Sequence, residues 1–128
     1  MKRVLFVCVE NSNRSQMAEA FARLHGAGAV EAHSAGSRPS GRVSPKAIAA
    51  MAERGVDLAS HTSKGLEAVL HLAFDAAVTM GCGDACPHVR ARIREDWELR
   101  DPRDLDAAGV HEVRDEIERR VRELLARL

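Results

Sequence analysis

Arg3-Val4-Leu5-Phe6-Val7-Cys8-Val9-Glu10-Asn11-Ser12-Asn13-Arg14-Ser15 is the stretch that decides the fold. After Arg3, Val4 to Val9 form a continuous, β-branched apolar run, the pattern of a strand buried on both faces of a sheet. The next five are polar, and beyond them Met17, Phe21 and Leu24 recur at helical spacing as far as Gly26. A buried strand that feeds a helix through a short polar loop opens a strand–helix–strand unit.

The rest of the chain repeats that alternation. Ala29 to His33 reads as a second strand, ended by Ser34-Ala35-Gly36, and residues 36–44 as a loop. Ser44 followed by Pro45 predicts a helix start, with Ile48 and Met51 facing inward and Gly55 as the stop. Thr62 predicts the cap of a further helix carrying Leu66, Val69 and Leu70. Ala73 to Met80 is a third strand, broken by Gly81-Cys82-Gly83, and a fourth is expected within Ile93 to Leu99. Val110, Val113, Ile117, Val121, Leu124 and Leu128 form the apolar stripe of the last helix. Its outer face carries Asp115→Arg119, Glu116→Arg120, Glu118→Arg122 and Glu123→Arg127, expected as four i,i+4 pairs in solvent.

This order predicts a single α/β domain over residues 1–128, a four-stranded parallel sheet in the order 2-1-3-4 with helices on both faces. Ligands of such sheets bind beyond the carboxyl ends of the strands, where the strand order reverses. Cys8, Cys82 and Asp101-Pro102 are all expected at that edge.

Composition narrows the function. Lys plus Arg equals 19 and Asp plus Glu equals 19, so the basic excess that drives phosphate-backbone binding is missing and nucleic acid is not expected as a partner. The apolar run Val4–Val9 is too short for a signal peptide or a membrane span, which points to a cytoplasmic protein without a membrane partner. The even charge offers no strong partner surface, and a monomer is expected. Three cysteines in a reducing compartment favour reactive thiols or metal ligands over a disulfide framework.

Cys8 to Arg14 is a Cys-x5-Arg segment. The spacing alone carries little, because Cys86 and Arg92 also stand six apart. Context separates the two: only the first lies between a buried strand and a helix N-terminus, where unpaired amides and the helix dipole favour an anion. The amides of Val9, Glu10, Asn11, Ser12, Asn13, Arg14 and Ser15 can curl around a tetrahedral oxyanion as a nest, and Arg14 can add a bidentate grip. The same positive field favours a thiolate nucleophile at Cys8.

Phe6-Val7-Cys8 with Asn11-Ser12-x-Arg14-Ser15-Gln16-Met17-Ala18-Glu19 resembles the low-molecular-weight tyrosine phosphatase superfamily (phosphotyrosine phosphatase I-like fold). Within it, the chain is most similar to the arsenate reductases that recycle through cysteine disulfides. Ser34-Ala35-Gly36, His61-Thr62-Ser63-Lys64, Val78-Thr79-Met80 and Asp101-Pro102 match in the same order, so the likeness spans nearly the whole chain. It implies that Cys8 attacks arsenate, that Arg14 and the loop amides hold the oxyanion, and that Asp101 protonates the departing oxygen.

Two further cysteines distinguish the branches of that superfamily. Hydrolysis needs one cysteine and water, whereas a two-electron reduction must place its electrons. Cys82 can attack the Cys8 adduct, and Cys86 can then attack Cys82, leaving a disulfide for thioredoxin or another small thiol reductant. On a regular helix an i,i+4 pair has Cα atoms about 6 Å apart, within disulfide reach. Gly81 and Gly83 beside Cys82 make its movement sterically inexpensive.

Three positions depart from the family pattern. Glu10 stands where the phosphatase loop commonly has glycine, so its side chain is expected to point outward with only its amide toward the anion. The x3 spacing of Cys82 and Cys86 is shorter than in the thioredoxin-coupled members. Some relatives hold potassium behind the loop at positions matching Asn11, Glu19, Ser34 and an aspartate. Lys64 stands at the last of these, and its ammonium is expected to replace the ion, so no potassium, metal or other cofactor is expected. Other readings stay open: a phosphatase acting on phosphotyrosine or a small phosphoester, a thiol-based metalloid sensor, and zinc at Cys82-x3-Cys86-x-His88. Against the phosphatase, the chain has no tyrosine, three phenylalanines and one tryptophan, little material for an aromatic slot. Against zinc, a fourth ligand is missing.

Overall fold

The computed structural model describes residues 1–81 and 89–128. Within them the chain runs β1 (Lys2–Cys8), α1 (Arg14–Gly26), β2 (Val30–Gly36), α2 (Pro45–Ala52), β3 (Phe74–Thr79), β4 (Ala91–Asp96) and α3 (Ala107–Ala126). The four strands make one sheet in the order β2-β1-β3-β4, every neighbouring pair parallel.

β1 is central, and its sequence shows it. Val4 and Phe6 pack among Met17 and Phe21 of α1 and Val113 and Ile117 of α3, while Leu5 and Val7 pack against Leu66, Val69, Phe74 and Val89 on the opposite face. All four β1 side chains are at most 1% exposed, each stabilising the fold by about 1.5–3 kcal/mol. β4 lies at the sheet edge, and its burial alternates, with Arg92, Arg94 and Asp96 exposed. Charges along a free edge discourage pairing with other chains, which explains why this strand is the least apolar of the four.

Helical segments cover the two faces unequally. The α-helices α1, α2 and α3 pack together on one face, and among the described residues the other is covered by residues 62–72, with a 3-10 turn at Leu66–Ala68, and by Val89. The helix expected to begin at Thr62 is therefore only that turn. Residues just before it are committed elsewhere: Gly36 N donates to Lys64 O at 2.9 Å, Lys64 N donates to Asn11 Oδ1, and Gly65 forms a parallel bridge with Gly36. Extended there, the chain has room for one turn, which buries Leu66 and Val69 and leaves Leu70 exposed. Leu24, expected inward, is also exposed.

β2 runs through Ser34-Ala35-Gly36 rather than stopping before it, because those residues pair with Phe6, Val7 and Cys8. On α3 the expected stripe is buried at every position from Val110 to Leu124. Of the four i,i+4 pairs only Glu116–Arg120 forms, at 2.6 Å. Glu118 is instead buried against His25 and Arg54, and Arg127 reaches Glu95 at 2.5 Å. That face of the helix is partly an interior ionic contact between elements. No helix among the described residues is long and apolar enough to cross a membrane.

Candidate active site

The site begins where β1 ends. Cys8 pairs with Gly36 of β2, and the chain must then turn through residues 9–13 to enter α1 at Arg14. Gly36 makes that turn possible: a Cβ on it would lie 2.5 Å from Val9 O and 2.8 Å from Asn11 N. Asn11, at φ 49°, takes the left-handed conformation that asparagine tolerates better than most residues.

Every carbonyl of the loop is tied outward. Val9 O accepts from Arg38 N at 2.8 Å, Glu10 O from Ser40 N and Ser63 Oγ, and Asn11 O from Gln16 Nε2. Ser12 O accepts from Ser44 N at 2.8 Å and Asn13 O from Met17 N at 3.0 Å. Among the described residues, no backbone acceptor takes the amides of Glu10, Asn11, Ser12 or Asn13. Asn13 occupies the N-cap of α1 yet makes no side-chain cap bond, and its buried Oδ1 has no partner among the described residues. The first amides of α1 are thereby left open as well. A row of fixed, unengaged N–H groups at a helix N-terminus is an anion cradle that needs no rearrangement to bind.

Cys8, 3% exposed, sits beside that cradle with its Sγ 2.9 Å from Ser15 Oγ. Asn11 Nδ2 donates to the same hydroxyl at 2.8 Å, so Ser15 can pass its own proton toward the sulfur and steady a thiolate. Gln16 Nε2 holds Asn11 O, Asn11 Oδ1 and Thr62 O at 2.8–3.0 Å. Gln16 Oε1 faces His61 Nδ1 at 3.0 Å, and because a carbonyl only accepts, that nitrogen carries the proton.

Behind the loop lies Glu19, 2% exposed. Ser34 Oγ donates to its Oε1 at 2.5 Å, Arg23 Nη2 stands 2.9 Å from its Oε2, and Lys64 Nζ lies 3.5 Å from Oε1. Lys64 Nζ also donates to Ser34 Oγ at 3.2 Å and to Thr62 O at 3.1 Å. The Lys64 ammonium therefore stands among Ser34 Oγ, Thr62 O and Glu19 Oε1 behind the loop. His61 Nδ1 is 3.5 Å from Glu19 Oε2. Burial pushes the His61 imidazole below its ordinary value of 6.5, aided by Arg23 and Lys64 and opposed by Glu19. The described residues hold no cluster of three or more His, Cys, Asp or Glu able to bind a metal.

Arg14 and Asp101 close the other side. Arg14 Nη1 donates to Leu99 O at 3.1 Å, and its guanidinium passes over Gly81, where a Cβ would meet Nη1 at 2.9 Å. Asp101 Oδ2 is 3.9 Å from Arg14 Nη2, while its Oδ1 caps the following 3-10 turn, Pro102–Asp104, through Arg103 N. Glu10 turns away from the loop interior toward Arg103, 3.6 Å distant, so its carboxylate does not face the anion. Cys82 and Cys86 lie outside the described residues, as does His88. Gln16, His61, Gly36 and Arg103 were not singled out as site residues from sequence alone. Gln16 and His61 stand within the quoted motifs, but Arg103 carries no pattern that would mark it.

The fold and the cradle define a class, and the whole chain confirms it: the protein belongs to the low molecular weight phosphotyrosine protein phosphatase family, matched over residues 3–128. Similar members are more particular. The glutaredoxin arsenate reductase of Synechocystis sp. is 41% identical over 131 residues, covering 100% of this chain and 99% of that protein. An arsenate reductase solved in the phosphate binding state superposes with a TM-score of 0.91 at 41% identity, covering 99% of this chain and 98% of that one. A thioredoxin-dependent arsenate reductase of Corynebacterium glutamicum gives 0.83 at 37% identity, over 98% of this chain and 61% of that one.

Proposed function

We propose that the protein reduces arsenate to arsenite in the cytoplasm, as a monomer, with electrons from a thiol reductant of the thioredoxin or glutaredoxin kind. The observation that carries this is the cradle beside Cys8, whose carbonyls are all turned outward and whose amides at residues 10–13 have no backbone acceptor among the described residues, in a chain 41% identical end to end to an arsenate reductase. Arsenate enters the cradle on the amides of residues 9–15, with the Arg14 fork on two oxygens. The Cys8 thiolate attacks arsenic, and Asp101 gives its proton to the departing oxygen, which leaves as water. Cys82 then attacks the Cys8 sulfur. A sulfur–sulfur bond forms, the sulfur–arsenic bond breaks, and its electron pair stays on arsenic as As(III). Cys86 attacks Cys82, freeing Cys8, and the Cys82–Cys86 disulfide takes two electrons from the external thiol.

Glu19, Ser34 and Lys64 support the loop from behind, with the lysine ammonium in the place of a cation. The wild type is therefore expected to show the same turnover and melting temperature in potassium as in sodium. A potassium-dependent gain in either would contradict this. The reaction itself is tested by arsenate-dependent NADPH oxidation coupled through thioredoxin or glutaredoxin and their reductases, comparing wild type with Cys82→Ala. Turnover in the wild type alone supports the relay. Hydrolysis of aryl phosphate without arsenate reduction by the wild type moves the assignment to a phosphatase.

A further inference from the structure

Arg103 sits at the mouth of the site and links two segments that no backbone hydrogen bond joins among the described residues. Its guanidinium stands between two carboxylates, with Nη2 3.3 Å from Asp101 Oδ2 and Nη1 3.6 Å from Glu10 Oε2. Its own amide donates to Asp101 Oδ1 at 2.9 Å. Lys46 Nζ donates to the carbonyls of Arg103 and Leu105 at 2.7 and 2.8 Å, which anchors the turn to α2. Both oxygens of Asp101 are thus held by one residue, and that residue is held in turn by the oxyanion loop.

Arg14 cannot do this alone. It lies 3.9 Å from Asp101, and its fork is the group that must turn to a bound anion. Once it does, Asp101 needs another partner to stay aimed at the departing oxygen. The Arg103 guanidinium is in reach of both Asp101 and Glu10. Glu10 divides that guanidinium between two acceptors. The charge at Glu10, unexpected in an anion-binding loop, then has a use outside the cradle.

We infer that Glu10 and Arg103 form a clasp across the mouth of the site, Arg103 positioning Asp101 and Glu10 positioning Arg103. The inference rests on the role given to Asp101 in the proposed reaction. The side chains of Glu10 and Arg103 act as positioning groups, and Glu10 meets the anion only through its backbone amide.

The test is a mutant cycle of Arg103→Ala, Arg103→Lys, Glu10→Gln and the double variant Glu10→Gln/Arg103→Ala. Each is assayed with arsenate and with p-nitrophenyl phosphate, with inorganic phosphate as a competitive inhibitor to report occupancy of the cradle. Arg103→Ala is expected to lower kcat about tenfold while the phosphate inhibition constant moves less than about twofold. Arg103→Lys should recover part of the loss. Glu10→Gln should change kcat by a smaller factor, and that change should vanish in the Arg103→Ala background. Unchanged kcat in Arg103→Ala, or an equal loss of kcat and phosphate affinity, would overturn the clasp. So would a Glu10→Gln effect that is the same with and without Arg103. A wild type that hydrolyses the aryl ester but reduces no arsenate strikes the proposed reaction alone, and the clasp is then decided by the hydrolysis rates. Melting temperatures within a few degrees of wild type exclude a folding defect as the cause.

Discussion

The two halves of the site are built differently. Residues 8–15 are largely buried, the carbonyls of residues 9–13 each have a partner, and a shell of Gln16, Ser34, His61 and Lys64 braces them from behind. In the turn at 101–105, Asp101, Arg103 and Asp104 are exposed while Pro102 is buried and Leu105 packs against the core. Apart from those of its own 3-10 turn, the polar contacts that hold it come from the side chains of Arg14, Arg103 and Lys46. The difference follows from what each half must do. Binding an oxyanion is strongest when fixed dipoles need no reorganisation, which demands a rigid, desolvated frame. A proton donor must be recharged from solvent at each turnover, which demands access.

Substitutions can break this contrast. The largest effect is expected at the centre of the rigid half: Cys8→Ser should lower arsenate reduction and any phosphoester hydrolysis by more than about 10³-fold, since a serine hydroxyl offers no accessible anion at neutral pH. Asp101→Asn should lower kcat by about 10²-fold while phosphate still binds, measured as an unchanged inhibition constant. Loss of phosphate binding in that variant would mean the turn belongs to the cradle. Gly36→Ala forces a methyl against Val9 O and Asn11 N, so it should cost about 2 kcal/mol of stability and weaken phosphate binding along with turnover. Lys64→Met removes one of the cations facing buried Glu19. With Arg23 and Ser34 remaining, and Lys64 partly exposed, a loss of about 1–2 kcal/mol in denaturant unfolding is expected.

The smallest effect concerns pH. Because folding lowers the proton affinity of His61, the unfolded chain binds more protons than the folded one below the ordinary imidazole value of 6.5. Stability should therefore fall as pH drops through 6.5 and level off once His61 itself is charged. His61→Gln, which keeps a partner for Gln16, should flatten that part of the curve. An unchanged slope would show that His61 is not the group responsible.

Much of this was legible in the sequence, for reasons that differ by element. β1 could be read because a strand buried on both faces has no choice but a continuous apolar run, and α3 because a long helix on one face shows its stripe. Cys8, Arg14 and the loop followed from a strand–loop–helix junction that leaves amides unpaired. Residues 62–65 read as a helix start because Thr62 is a good cap, yet Gly36 and Asn11, far away in sequence, hold that stretch extended. Glu118 read as a surface charge because nothing local reveals that His25 and Arg54 approach it from other elements. Arg103 was hidden for the same reason. Its partner Glu10 is 93 residues earlier, and only the fold brings the two carboxylates to either side of it.

The most direct measurement is a single turnover without any external reductant. Fully reduced protein is mixed with excess arsenate, and arsenite and free thiols are counted. The mechanism predicts about one arsenite per chain and the loss of two of the three thiols, with no arsenite from Cys8→Ser or from Cys82→Ala. No arsenite from the wild type, or the same yield from Cys82→Ala, would contradict it.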